Sequence, residues 1–92
     1  MYRVKLTPTA NQVLNSLHPL IKKQLKTALK SLYQNPHLGK ELHDILINFR
    51  SLKMKRYRAI YQIDYQSKTV VILAIGHRRD IYEIVNELTI KH

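Results

Sequence analysis

The sequence predicts an α+β fold: a small antiparallel-type sheet, built from an N-terminal strand and a three-strand meander, with a helical hairpin on one face and a short C-terminal helix. Three observations carry this expectation. Tyr2-Arg3-Val4-Lys5-Leu6 alternates apolar and basic side chains with period two, as a half-buried strand does. Residues 8–32 repeat apolar side chains at helical spacing, interrupted once at His18-Pro19. From Arg50 to Ile75, three β-type runs follow one another with only short polar breaks. A chain of 92 residues supports one modest core, so residues 1–92 are expected to form a single domain.

Each element has its own reason. Thr7 is an N-cap, and Pro8 sits at the first helical position, where its missing N–H does no harm. Ala10, Val13, Leu14 and Leu17 then share one helical face. The residue before a proline is pushed out of the α region, so His18-Pro19 ends this helix and starts another. Ile21, Leu25, Ala28, Leu29 and Leu32 make the second stripe, with Lys22, Lys23, Lys26 and Lys30 on the other side. Asn35-Pro36-His37-Leu38-Gly39 closes the helix with turn residues. Glu41–Phe49 suits neither period cleanly and is expected to be irregular, leading into the next strand.

The meander reads more clearly. Leu52 and Met54 point toward the helices, while Ser51, Lys53 and Lys55 point away. Lys55-Arg56 makes a tight turn without glycine. Tyr57, Ala59, Tyr61 and Ile63 then face the helices, leaving Arg58 and Gln62 on a second face that is expected to be basic and at least partly open. Val70–Ile75 is apolar on both faces, as a central strand is. Asp80 caps a last helix, Ile81–Leu88, with Ile81, Ile84, Val85 and Leu88 as its stripe.

Composition narrows the function. Sixteen Lys and Arg against six Asp and Glu give a net charge of +10, which attracts polyanions by field and by counterion release. The charge is clustered: five of the nine residues from Arg50 to Arg58 are basic. So basic a chain also invites an acidic protein partner. There is no cysteine, so disulfides and thiolate metal sites are excluded, which fits the cytoplasm. The longest apolar run is too short for a bilayer, and the N-terminus has no signal-type apolar core, so no membrane association is expected. The five histidines show no metal-ligand spacing; neither metal nor cofactor is expected.

If the strands of the meander are adjacent, Lys53, Arg58, His77, Arg78 and Tyr82 converge at one end of the sheet. Such a cluster suits metal-free RNA cleavage. There the ribose 2′-OH attacks its own 3′-phosphate, a base takes the proton, cations hold the added charge, and an acid protonates the leaving oxygen. Arginine supplies permanent charge. Histidine titrates near neutrality, and a lysine or tyrosine becomes a base only where neighbouring cations favour its deprotonated form. Taken singly, each residue also has a plain structural reading: a surface charge, a turn histidine, a packed tyrosine.

The combination resembles the RelE/ParE toxin superfamily of type II toxin–antitoxin systems, and leans to its RelE branch. The resembling residues are Tyr2-Arg3-Val4, Asn35-Pro36, Gly39-Lys40-Glu41-Leu42, Phe49-Arg50-Ser51-Leu52-Lys53, Tyr57-Arg58-Ala59-Ile60-Tyr61 and Gly76-His77-Arg78-Arg79-Asp80-Ile81-Tyr82. The resemblance implies an endoribonuclease that cuts mRNA in the ribosomal A site without metal. Its working residues fall on Lys53, Arg58, Arg78 and Tyr82, with His77 beside them, and Arg50, Ser51, Lys55, Arg56 and Arg79 are expected to bind RNA. The implied partners are a cognate antitoxin, the ribosome with its mRNA, and operator DNA only through the antitoxin complex. The chain departs from some relatives at Ser51, where they carry a second lysine, and at Lys55-Arg56, where many place a glycine. Two other functions stay open: a ParE-type non-enzymatic inhibitor of DNA gyrase, and a catalytically inactive member that only binds its antitoxin.

Overall fold

The central strand of the sheet is β5 (Thr69–His77), flanked on one side by β1 (Arg3–Leu6) and on the other by β4 (Tyr57–Asp64). Beyond β4 lie β3 (Phe49–Met54) and a two-residue edge strand, β2 (Lys40–Glu41), giving the order β1-β5-β4-β3-β2. Three helices among the described residues complete the fold: α1 (Pro8–Ser16), α2 (Pro19–Lys30), continued by a 3₁₀ turn at Ser31–Tyr33, and α3 (Ile81–Ile90). The computed structural model describes residues 1–42 and 48–90, so the part of the Glu41–Phe49 reading that concerns 43–47 lies outside the described residues. No helix among the described residues is long and apolar enough to cross a membrane.

The sheet is mixed, not purely antiparallel. β1 runs parallel to β5, with Val4 opposite Val70 and Leu6 opposite Ile72, while the meander is antiparallel throughout. Short turns force antiparallel neighbours in the meander, but β1 and β5 are separated in the chain by α1, α2 and the strands β2 to β4, a connection long enough to permit a parallel pair. Thr7 ties this corner together. Its hydroxyl accepts the Ala10 N–H as N-cap and donates to the Leu73 carbonyl at 3.3 Å.

Leu73 is the extra residue of a bulge, because Ile60 pairs with Ala74 and Tyr61 with Ile72. The bulge reverses the alternation of β5. Val70, Ile72 and Ile75 therefore all join the core under α1 and α2, with Leu25, Leu29, Leu32, Leu52, Met54, Ala59 and Tyr61. The second face is not left bare. α3 lies across it and buries Ile81 and Val85 against Ile60 and Ala74, with Leu42, Phe49, Ile84 and Leu88 at the margin. α3 also extends two residues past the predicted Leu88.

Loop 36–41 is fixed from below by two side chains. The buried Tyr61 hydroxyl donates to the Pro36 carbonyl at 2.7 Å and accepts the Gly39 N–H at 2.8 Å. A Cβ on Gly39 would lie 2.6 Å from that oxygen, so glycine is required there by space alone. Arg50 Nη1 donates to the Gly39 carbonyl at 2.6 Å, and Nη2 pairs with Glu41 at 2.8 Å.

Candidate nucleic-acid interface

The β3–β4 hairpin turns in two residues, and Lys55 takes the left-handed conformation, φ 54°, that such a turn needs. This sets the register that defines the site. Lys53 stands directly opposite Arg58, and Arg58 stands opposite Gly76 on the next strand. Residues in such pairs have Cβ atoms about 4.5–5.5 Å apart, and like charges so placed oppose sheet formation. Both side chains project on the α3 face, beside Ser51 rather than with Leu52 and Met54. Arg58 curls toward the turn, its Nη1 donating to the carbonyls of Lys55 (3.0 Å) and Tyr57 (2.9 Å). Its Nε and Nη2 make no hydrogen bond among the described residues, so half of the fork is available to an anion.

The end of β5 is clipped to the same turn. The Arg78 N–H donates to the Arg56 carbonyl at 2.7 Å, which brings the Arg78-Arg79 turn against Lys55-Arg56. Lys53, Lys55, Arg56, Arg78 and Arg79 are all exposed and Arg58 is half-buried. Six cations thus share one end of the sheet. Tyr82 lies in the first turn of α3, four residues after Arg78, and is 68% exposed.

Two expected members lie elsewhere. After the bulge, His77 falls on the α1/α2 face, edge-on to Tyr57 with ring centroids 5.8 Å apart. Its Nδ1 accepts the Arg79 N–H at 3.3 Å and its carbonyl accepts the Asp80 N–H at 2.9 Å, so it shapes the turn that carries Arg78. Arg50 also projects on the α1/α2 face, its guanidinium bonded to the carbonyls of His37 and Gly39 and to Glu41. It clamps a loop and has little left for RNA. Ser51 is half-buried on the Lys53 side, opposite Ile60.

Sequence reading missed the part played by Gly76 and Ile84. With no side chain at Gly76, Ile84 of α3 packs directly onto the strand backbone beside Arg58. A Cβ at Gly76 would run into Ile84 Cδ1. The signal was present as a glycine inside a strand, which marks a bulge or a close approach. The nearest larger groove, bordered by Leu42, Phe49, Gln62 and Tyr65, opens at the other end of β4 and does not belong to the cation cluster.

A family model described as ParE toxin of type II toxin–antitoxin system, parDE, matches residues 4–82. Toxin RelG of Mycobacterium tuberculosis is 37% identical over 83 residues, which cover 88% of this chain and 95% of the relative. A chain in the crystal structure of the toxin–antitoxin complex RelBE2 from the same organism is similar with TM-score 0.77 and 35% identity, covering 84% of this chain and 98% of that one. The isolated RelE toxin of E. coli is similar in fold, with TM-score 0.75 and 22% identity over 96% of this chain and 99% of its own.

Proposed function

We propose that this chain, which belongs to the RelE/ParE toxin superfamily of type II toxin–antitoxin systems and to its RelE branch, is a metal-free endoribonuclease that cuts mRNA in the ribosomal A site. One observation carries the reading: a cross-strand pair of cations, Lys53 and Arg58, with the Arg78 turn hydrogen-bonded to the adjoining hairpin turn. Like charges held opposite each other weaken the sheet, and a phosphate between them turns that opposition into attraction.

The chemistry follows from these positions. An mRNA phosphate seats on Arg58 and Arg78, whose guanidinium groups stay charged throughout the reaction. The ribose 2′-oxygen bonds to phosphorus while the bond to the 5′-oxygen breaks, leaving a 2′,3′-cyclic phosphate and a free 5′-hydroxyl. Lys53, opposite Arg58, and Tyr82 are the groups assigned to exchange protons with the two oxygens. As the equatorial oxygens gain charge, the fixed cations stabilise that charge more than they do the ground state. His77 holds the turn beneath Arg78 and takes no proton from RNA. The ribosome supplies the geometry, presenting one phosphate to a surface that is a ridge, not a pocket.

The partner that keeps this activity in check is a cognate antitoxin, a reading supported by the likeness to a chain of the RelBE2 toxin–antitoxin complex. The +10 chain gives an acidic antitoxin segment long-range attraction, and cover over Arg58 or Arg78 is sufficient for silence. Operator DNA is reached only through that complex, and the working compartment is the cytoplasm, where ribosomes are. The test is induced expression in a bacterium, followed by mapping of mRNA 5′ ends. New ends within translated frames, absent from an untranslated copy of the same message, are expected. Growth arrest with intact mRNA and altered DNA supercoiling would instead indicate a gyrase inhibitor; neither effect would indicate an inactive member.

A further inference from the structure

A second concentration of charge lies on the other side of the molecule. Residues 1–40 contain seven Lys and Arg and no Asp or Glu. Four of these, Lys22, Lys23, Lys26 and Lys30, lie along α2: Lys23, Lys26 and Lys30 on its solvent side, and Lys22 on the flank beside Leu25 and Leu29, which are buried against the sheet. Lys23, Lys26 and Lys30 are exposed and Lys22 is half-buried. None of the four ammonium groups makes a hydrogen bond or ion pair among the described residues. Lys22, Lys26 and Lys30 stand one turn apart, about 6 Å along the axis, a spacing at which like charges weaken a helix. The first turn of α2 also lacks any acid to match the helix dipole.

The stripe is built to meet phosphates. From Lys23 to Lys30 every exposed side chain is polar. Protein interfaces are depleted in lysine and centre on aromatic or apolar anchors, whereas flexible ammonium groups in a row match a charged backbone. The stripe also faces away from Lys53 and Arg58, with the helix layer and the sheet in between. A single extended strand seated on Arg58 does not reach α2 as well. A folded RNA that surrounds a body of 32 × 31 × 22 Å presents phosphates to both sides.

We propose that the lysine stripe of α2 is a second docking surface, which binds the phosphate backbone of double-helical RNA without reading its sequence. This rests on the RNA-directed function proposed above and adds to it. The Lys53–Arg58–Arg78 end engages the strand that is cut, and α2 engages the folded RNA wall of the place where cutting occurs.

The test uses the full chain, its Lys23→Glu/Lys26→Glu/Lys30→Glu variant and, as a milder form, the three lysines changed to Ala, each checked by thermal melting. The probes are a 20-base-pair RNA duplex of arbitrary sequence, 70S ribosomes and the antitoxin. Loss of three phosphate contacts should lower the slope of log affinity against log salt by about 2 to 3, for duplex and ribosome alike. Arg78→Ala should leave duplex binding nearly unchanged. Equal duplex affinity and slope in wild type and both folded variants would overturn the proposal. So would variants that lose the antitoxin but keep the duplex, since the stripe would then be a protein interface. A wild type that binds duplex through α2 but cuts no message would sink the nuclease reading and leave this surface standing.

Discussion

Replacing Tyr61 by Phe removes one oxygen from a side chain with no solvent exposure. That oxygen holds the Pro36 carbonyl at 2.7 Å and the Gly39 N–H at 2.8 Å, both on buried residues. Leaving a buried donor or acceptor unpaired costs about 1–3 kcal/mol each, so the two together should lower stability by about 2–6 kcal/mol. Arg50 still grips the Gly39 carbonyl, so the loop should loosen without detaching. Unfolding entropy near 2.1 cal/mol/K per residue gives roughly 0.2 kcal/mol/K for a chain of this size, so Tm should fall by roughly 10–30 °C. Calorimetry or circular dichroism measures this directly. Loop 36–41 meets β4 at Tyr61, three residues along the strand from Arg58 and on the opposite face of the sheet, so RNA cleavage per folded molecule should be unchanged. A Tm drop under about 3 °C would refute the clamp, given the expected sensitivity of a small domain. Cleavage lost without a change in melting would refute the separation of clamp and site.

Other outcomes follow from the same structure. Burial pushes the Tyr61 phenol above its ordinary value, while the Gly39 backbone bond and the Arg50 charge pull it back. Its folded value lies above the unfolded one, so its contribution is full below about pH 10 and is lost as pH rises through the folded value. The difference in stability between wild type and Tyr61→Phe should therefore narrow above pH 10 in urea titrations. Lys53→Glu should convert an opposed cross-strand pair into an attractive one and raise stability by about 0.2–1 kcal/mol. The same change should abolish cleavage, and a variant that is both stabilised and active would remove Lys53 from the site. Gly76→Ala forces Ile84 aside and should cost about 1–3 kcal/mol, as overpacking does. In the Gly76→Ala/Ile84→Ala double variant the two costs should fall short of additivity by at least about 0.5 kcal/mol. Strict additivity would mean α3 does not rest on Gly76.

Much of this architecture is written locally in the chain. Thr7-Pro8 and His18-Pro19 specify helix starts by side-chain acceptor and missing N–H, and both act as caps where the sequence puts them. The alternation of Leu52 and Met54 against Ser51 and Lys53 fixes which face of β3 is buried, because period two leaves no other choice. Long-range pairing is different. Nothing in Arg3–Leu6 says whether it meets β5 parallel or antiparallel. The bulge at Leu73 likewise shows only when two strands are laid together, and it moves His77 to the far face. The cover over the second face was half legible: Ile60 between Arg58 and Gln62, and Ala74 within β5, are apolar side chains pointing at a supposedly open surface, and the stripe of α3 is their complement. The charge of Arg50 is visible in the sequence, whereas the carbonyls of His37 and Gly39 that its guanidinium bonds are not.

The central claim is that the fixed cation beyond β5 stabilises charge on a scissile phosphate. Its most direct test is single-turnover cleavage of mRNA in the A site of reconstituted ribosomes by wild type, Arg78→Ala and Arg78→Lys, with ribosome affinity and melting measured on the same proteins. Arg78 is exposed, and its position is set by its backbone bond to Arg56, so the substitution should leave the fold intact. Loss of one donor to the transition state should slow cleavage about 100–1000-fold, with lysine restoring only part of the rate because it grips one oxygen where arginine grips two. Arg78→Ala that folds, binds ribosomes and cuts at the wild-type rate would contradict the account.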